Sequence, residues 1–531
     1  MNIMAPVKMR LKIALLATGM TLLGGWARGE VVLQFFNNSW NEITEKIPEI
    51  AEVGYSSLWL PPPQKASGDL SVGYDLWDPF DLGSNAQRGG RTRYGNEDDL
   101  LRLIETAHRF GLRVYFDNIM NHRAFDIPGY NEFTPIDIYP GMLPEDFHLR
   151  VTEDGFYRAW DDTQNWGNTW EVQNQFLSGL IDIAHESPNS NFGPTLGSQH
   201  PKIEFVRHPN QPEFYDFHPT LGHVGFYNTN ITVQVISNNP AFYQEDVGGY
   251  MMRSVRWLMD RTKADGLRLD AVKHVPAYFF GDQWSSGKDT NSAGYCGQAQ
   301  WQFNQSRGFS DPNHRDTVFD TEQARDDAMM FGEHMGEPPP YGDYFAAGMR
   351  LVDAKIHQTL NDVLGNPSRG LWGLENDGYV ENFQFGAYNG VPYAKSHDDA
   401  VAYREELHNA INLTRRGLPN IYTDGNRQAE TLGESGGAFP RHANTRPFGQ
   451  FGDSRIPNLV YIHNQFARGS QAGRATDADV LAYERRDKRE NGAMSDADAT
   501  TLLMLINDDY SSGAYLEIAT TFPDGAWLWQ Y

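Results

Sequence analysis

Hydrophobic and polar positions change period repeatedly along this chain. Val31-Val32-Leu33-Gln34-Phe35-Phe36 is a short apolar run of strand type, after which Ile43, Ile47, Ile50 and Ala51 recur at helical spacing. Ser56-Ser57-Leu58-Trp59-Leu60 predicts a second strand, stopped by Pro61-Pro62-Pro63. Asn96 then caps a helix whose stripe is Leu100, Leu103, Ile104 and Ala107, with Asp99 placed for a capping box and Gly111 at the end. Leu112 to Asp117 is the third strand, running into Asn118-Ile119-Met120-Asn121-His122. Strand, helix, strand in this order predicts a parallel sheet of the α/β class.

The alternation breaks over 123–242, a stretch rich in Asn, Pro, His and aromatics. It is too long for a simple loop and reads as an inserted subdomain, with Leu180 to Ala184 its clearest strand-like piece. The pattern resumes with Val247, Met251, Val255, Leu258 and Met259 on one helical face. Strands are expected at 266–270, 328–334, near 349–352, at 391–396 and at 417–422, with an irregular segment over 281–326. A helix near 456–468, a polar stretch at 469–477 and apolar runs at 480–485 and 502–507 predict a small antiparallel β-domain. The expected organisation is a leader at 1–29, a barrel at 30–122 and 243–470, an insert at 123–242 and the β-domain at 471–531.

Composition narrows the function. The 531 residues carry a net charge of −25, which suits neither nucleic-acid phosphates nor an anionic membrane surface. Lys8, Arg10 and Lys12, the apolar run Ile13–Leu23 and the small residues of Ala27-Arg28-Gly29 form a secretory signal pattern. They predict cleavage before Glu30 and a secreted or periplasmic protein with no membrane span. Cys296 is the single cysteine, so no disulfide can form within the chain.

Chemistry collects at the strand ends. Within Gly266-Leu267-Arg268-Leu269-Asp270-Ala271-Val272-Lys273-His274, Arg268 and Asp270 share one face of a strand. Two readings stand at this point: a structural ion pair, or a carboxylate kept ionised for use. Asp117 with Asn121-His122, Glu333, and His397-Asp398 end three other strands. In a barrel those ends converge on one rim, and paired carboxylates on a rim are the equipment of a glycosidase.

These segments resemble the α-amylase family of glycoside hydrolases. The run 266–274 is similar to the family's nucleophile segment, and Asp117-x-x-x-Asn121-His122 to its third-strand motif. Phe331-Gly332-Glu333 is similar to its fifth-strand motif, and Ser396-His397-Asp398 to its seventh, where Asn is more usual than Ser396. Gly73-Tyr74-Asp75, Thr92-Arg93-Tyr94-Gly95 and Gly417 to Tyr422 also resemble family segments, in the family's order over roughly 31–530.

The resemblance implies a (β/α)8 TIM barrel with an irregular subdomain after strand 3 and a small C-terminal antiparallel β-domain. It implies a retaining enzyme acting on α-1,4 bonds of starch-like α-glucans. Asp270 is then the nucleophile, Glu333 the acid and base, and Asp398 the third carboxylate. Arg268 orients Asp270, His122 and His397 hold sugar hydroxyls, Tyr74 stacks on the sugar, and Lys273 and His274 meet the leaving side. The family further implies a Ca²⁺ ion held by Asn121, Asp182 and the His274 carbonyl. Asp117 is expected to be structural. The alternatives are a transglycosylase or debranching member using the same residues, and a non-catalytic glycan-binding protein on the same fold.

Overall fold

In the computed structural model the alternation within each apolar run decides which side chains face inward. The structure describes residues 30–84, 90–123, 139, 146–151, 157–159, 162–185, 203–204, 216–218, 222–225, 244–245, 247–281, 294–308, 328–364, 366, 368–375, 390–399, 404–424, 455–487 and 499–530. The leader expected at 1–29 lies outside them.

Eight strands form one sheet: β1 (Val32–Phe36), β2 (Ser57–Leu60), β3 (Arg113–Asn118), β4 (Gly266–Leu269), β5 (Met329–Gly332), β6 (Arg350–Val352), β7 (Gly390–Val391) and β8 (Asn420–Asp424). Their order is β7-β6-β5-β4-β3-β2-β1-β8, every pairing parallel. A parallel bridge between Tyr393 and Asn420 joins the two ends, with Asn420 N–H donating to the Pro392 carbonyl at 2.9 Å. The sheet is therefore the expected (β/α)8 barrel. The seventh strand is shorter than the run 391–396 predicts. Pro392 has no N–H to give a ladder, so pairing stops at Val391 and the chain turns towards Ser396.

Outward residues such as Leu33, Phe35, Leu58, Val114, Phe116, Leu267 and Leu269 pack with the helices in one large core. Inward residues Val32, Phe36, Trp59, Tyr115, Phe331, Val391 and Tyr422 fill the barrel itself. Two helices cover β1–β3: α1 (Trp40–Val53) and α2 (Glu97–Arg109). On α1, Ser39 Oγ accepts from Glu42 N–H at 3.3 Å while Glu42 Oε2 accepts from Ser39 N–H at 3.0 Å, a full capping box. On α2 only the Asn96 half forms, at 2.9 Å. The shorter Asp99 side chain turns instead to Arg102 at 3.2 Å.

After β3, His122–Arg123 pairs antiparallel with Ile181–Asp182 and a bridge joins Phe147 to Ile183, which ties the insert to the barrel's rim. The region between β3 and β4 also holds a short helix, α3 (Thr169–Asn174), and further antiparallel strand pairs, among them Ile203–Glu204 with Gln244–Glu245 and Asp216–His218 with Gly222–Gly225; α4 (Val247–Thr262) then leads into β4.

Two readings of the chain need correction. The segment 281–326 contains a helix, α5 (Gly294–Arg307). It hides from periodicity because Gln298, Gln300, Gln302 and Asn304 are buried alongside Tyr295, Cys296, Ala299 and Phe303, leaving no apolar stripe. The stretch 469–477 is a strand, β9 (Ser470–Thr476), whose small and polar residues are half-buried throughout. It pairs antiparallel with β10 (Val480–Asp487), and β10 with β11 (Ala499–Asn507). Leu481, Tyr483 and Ile506 of this sheet pack on Ile356 and Leu360 of α6 (Ala354–Val363) and Ile411 of α7 (Glu405–Thr414). One more helix, α8 (Arg455–Phe466), packs against α7. Among the described residues no helix is long and apolar enough to cross a membrane.

Candidate active site

The registers of β3, β4 and β5 set Asp117, Arg268 and Phe331 at one level, all facing into the barrel. Charge inside a barrel is costly unless paired, and here it is paired densely. Arg268 Nη1 donates to Asp117 and to Asp270, each at 2.6 Å, and its Nη2 meets Glu333 Oε2 at 2.8 Å. Its guanidinium carbon lies 5.5 Å from the Trp59 ring centroid. One buried guanidinium thus gathers carboxylates from three strand ends. Burial works against its charge, but the carboxylates, Asp117 foremost, hold Arg268 well above the ordinary range.

Local backbone aims the two reactive carboxylates. Ala271, directly after Asp270, takes the left-handed conformation (φ 49°). This is strained for a residue with a Cβ, and its N–H donates to Glu333 Oε2 at 3.1 Å. Gly332 allows the close approach that brings Glu333 there, since a Cβ on it would lie 2.8–2.9 Å from Met349 and Val272. Burial, opposed by Arg268 and reinforced by the neighbouring carboxylates, pushes Asp270 well above the ordinary carboxylate range. Arg268 therefore moderates a shift that burial would otherwise make larger, as the sequence suggested in direction but not in outcome.

The third carboxylate stands apart. Ser396 Oγ accepts from the N–H of Asp398 at 3.2 Å and of Asp399 at 3.0 Å, a side-chain turn that presents Asp398 to solvent. Tyr393 O–H donates to Asp399 at 2.6 Å and fastens the same turn from below. Asp398 lies 3.1 Å from His397 Nε2 and is 57% exposed. Burial of its base pushes the other way, but His397 and Arg268 hold Asp398 below the ordinary range.

His397 and Tyr74 connect this turn to the floor. Their rings stack at 5.4 Å with 3° between planes. Gln34 Nε2, an obligate donor, is 2.8 Å from His397 Nδ1, so Nδ1 accepts and in the neutral ring Nε2 carries the hydrogen, 2.8 Å from the Tyr74 oxygen. Tyr74 O–H donates onward to Asp117 at 2.7 Å. Burial, then the Asp117 charge, push the phenol well up, so Tyr74 remains a donor. Asp117 is fully buried under the site, as expected of a structural residue. Trp59, Arg268, Glu333, His397 and Asp398 are among the residues lining a solvent-open cavity of about 340 Å³.

The remaining sequence candidates lie around it. His122 is buried, with Nε2 donating to the Tyr74 carbonyl at 3.0 Å. Lys273 Nζ donates to the Gly336 carbonyl at 2.9 Å, and His274 Nδ1 to the Val172 carbonyl at 2.8 Å. Asn121 Oδ1 faces the His274 carbonyl at 3.3 Å and Asp182 Oδ1 at 3.2 Å. Turning the amide over would give both oxygens an N–H. It would also set an oxygen, 3.3 Å away, against His122 Nδ1, which accepts in the neutral ring once Nε2 donates to Tyr74. Three oxygens thus converge, at the mutual spacing a hard cation would bridge. The other oxygen of Asp182 is held by His148 Nδ1 at 2.5 Å. Among the described residues no group of three His, Cys, Asp or Glu side chains forms a metal site; the three oxygens here belong to an amide, a backbone carbonyl and a carboxylate.

Gln34, Trp59 and Asn420, whose Nδ2 donates to Gln34 Oε1 at 3.1 Å, were not legible as site residues. Gln34 carried the one available signal, a polar residue in an otherwise apolar strand.

Residues 36–174 match the family model described as the α-amylase catalytic domain. That span runs from the end of β1 through β2 and β3 and takes in Asp117. The match and the (β/α)8 barrel together support a place in the α-amylase family. It is 26% identical over 255 residues to a cytoplasmic α-amylase of Escherichia coli, covering 45% of this chain and 46% of that protein. The chain spans less than half the length of the first curated relatives it matches. Among solved structures, α-amylase I of Eisenia fetida aligns with TM-score 0.54 at 17% identity, over 91% of this chain and 85% of that one. A γ-cyclodextrin glucanotransferase (γ-CGTase) of an alkalophilic Bacillus clarkii aligns with TM-score 0.53 at 17% identity, over 94% and 65%. The structural likenesses establish the shared fold.

Proposed function

We propose that this protein is a retaining glycoside hydrolase of the α-amylase family cutting α-1,4 bonds within starch-like α-glucans. The observation that carries the reading is the single guanidinium of Arg268 bonded to Asp270 and Glu333 at once. Two carboxylates on adjacent nitrogens of one group favour the short spacing of about 5–5.5 Å used with a covalent intermediate, rather than the wider spacing that admits a water between them.

In the first step an Asp270 oxygen attacks the anomeric carbon while the bond from that carbon to the glycosidic oxygen breaks, and Glu333 gives its proton to the departing glycosidic oxygen. In the second, Glu333 takes a proton from water, the water oxygen bonds to the same carbon, and the Asp270 ester breaks. Asp398 binds hydroxyls of the sugar as positive charge develops on its ring, with His397 and His122 beside it and Tyr74 against its face. Lys273 and His274 meet the leaving side.

Asn121, Asp182 and the His274 carbonyl would hold Ca²⁺, whose preference for oxygen donors they fit. The ion would fasten the insert to the barrel beside the site. The basic and apolar pattern of 1–29 supports export of the enzyme.

The test is the anomeric form and size of products from soluble starch and pullulan, followed by NMR and chromatography. Newly released reducing ends should appear first as the α-anomer, and Glu333→Gln should abolish release. β-Anomers would overturn the retaining mechanism. Cyclic or transferred glucans without new reducing ends would replace hydrolysis by transglycosylation, and binding without any cleavage would leave a glycan-binding protein.

A further inference from the structure

Sheet bonds stop short of Asp398. The ladder of β7 ends at Val391 and the bridge to Asn420 at Tyr393, so side chains have to hold the turn beyond. Lys395, directly before Ser396, is buried, and its Nζ donates to Glu405 Oε2 at 3.0 Å. Glu405 is the first residue of α7. A buried ammonium is costly unless a carboxylate stays beside it, so this pair fixes the turn to the start of α7.

The start of α7 is held in turn by the C-terminal β-domain. Arg404, the residue before the helix, takes the left-handed conformation (φ 54°), which is strained for a residue with a Cβ. Its Nη1 donates to the carbonyl of Asp508, directly after β11, and lies 3.6 Å from Asp508 Oδ2. Its guanidinium carbon stands 4.0 Å from the Tyr510 ring centroid. Asp508 is buried, with its N–H on the Asp479 carbonyl at 2.9 Å. At the other end of α7, Thr414 Oγ1 lies 2.6 Å from the Tyr483 hydroxyl of β10. Arg485 Nη1 donates to the Thr414 and Arg415 carbonyls at 2.9 and 2.6 Å. The β-domain therefore grips α7 at both ends, and the first residue of α7 is the one that Lys395 binds.

We infer that Lys395 and Glu405 are positioning residues for Asp398, and that the C-terminal β-domain sets them through α7. The part of this that concerns catalysis rests on the glucan-cleaving reading above. The β-domain then works on the active site without touching substrate: it fixes the helix, the helix fixes Lys395, and Lys395 steadies the Ser396 turn from which Asp398 projects. A carboxylate that binds sugar hydroxyls most tightly as ring charge develops loses that advantage when its base is loose.

Two measurements on the full chain test this. The first is hydrogen exchange by mass spectrometry without substrate. Arg404→Ala should speed exchange of the 396–399 segment, whose amides the Ser396 hydroxyl protects, about tenfold, and leave β4 within about twofold of the parent. No acceleration at 396–399, or equal acceleration in both segments, overturns the coupling to the β-domain. The second is steady-state kinetics on a maltooligosaccharide. Lys395→Met should lower kcat about tenfold with KM within about twofold. Glu405→Ala should match it, and Glu405→Gln, which keeps an oxygen for the ammonium, should lose less. The double variant of Lys395→Met and Glu405→Ala should lose no more than either alone. A folded Lys395→Met with the parental kcat, or additive losses in the double variant, overturns the positioning role. Failure of the glucan-cleaving reading is separately visible: the parent would not cleave the maltooligosaccharide, while the exchange result would still decide whether the β-domain holds the turn.

Discussion

Replacing Arg268 by Met keeps the length of the side chain and removes its fork. Three contacts vanish together: 2.6 Å to Asp117, 2.6 Å to Asp270 and 2.8 Å to Glu333. They are not equivalent. Asp117 keeps the Tyr74 hydroxyl, and Glu333 keeps the Ala271 N–H and is 20% exposed. Asp270 is 8% exposed, and Arg268 is the hydrogen-bond partner of its carboxylate among the described residues. A buried charge stripped of its partner costs about 3–5 kcal/mol, so the unfolding midpoint should fall. The more telling effect is on pH. Asp270 already stands above the ordinary carboxylate range through burial, with Arg268 pulling it down. Without the cation it rises further, and activity that needs the ionised nucleophile must begin at higher pH. The acid limb of kcat/KM against pH should move upward in Arg268→Met and by less in Arg268→Lys, which keeps charge but not the fork. The assay is the pH profile on a soluble maltooligosaccharide, with circular dichroism confirming the fold. A folded Arg268→Met whose acid limb stays in place, or moves down, would refute the electrostatic account.

Three further outcomes follow from the same geometry. An Asp raised in the folded state contributes stability that is present below the unfolded value near ~3.9 and is lost as pH rises through the folded value, so its ionised form destabilises the fold at neutral pH. Asp270→Asn should accordingly be inactive yet melt higher than the parent at pH 7, with the gain shrinking towards pH 4; a lower melting point at pH 7 contradicts this. Ser396→Ala deletes the acceptor for two backbone N–H groups behind Asp398 and should lower kcat on maltooligosaccharides about tenfold, while Ser396→Thr, which keeps the oxygen, should recover most of it; equal losses would show that the hydroxyl does not set the turn. Asn121→Leu should abolish any rise in melting temperature on adding Ca²⁺ to chelator-treated protein, read by scanning calorimetry; an undiminished rise would move the ion elsewhere.

The linear order of apolar runs was enough to predict a parallel α/β sheet, and the resemblance of its strand-end motifs to a known family implied that the sheet closes into a barrel. Strand-forming segments alternated with capped helices, and strand ends carried Asp117, Asp270 and Glu333 without any contact being known. That legibility comes from backbone periodicity, which is local. Where local periodicity fails, the fold had to supply the element: α5 buries glutamines on more than one face, and β9 is a run of mostly small or polar residues that takes its strand form by pairing with β10. The site divides the same way. Arg268 and Asp270 sit two residues apart on one strand, so their pairing was readable. That the same guanidinium would also hold Glu333 and that Gln34 would fix the hydrogen of His397 depend on residues 65 and 363 positions apart meeting. Tertiary structure also decided the electrostatic outcome. A sequence shows that an Arg lies near an Asp, but only depth in the barrel reveals that desolvation outweighs the ion pair and leaves Asp270 raised.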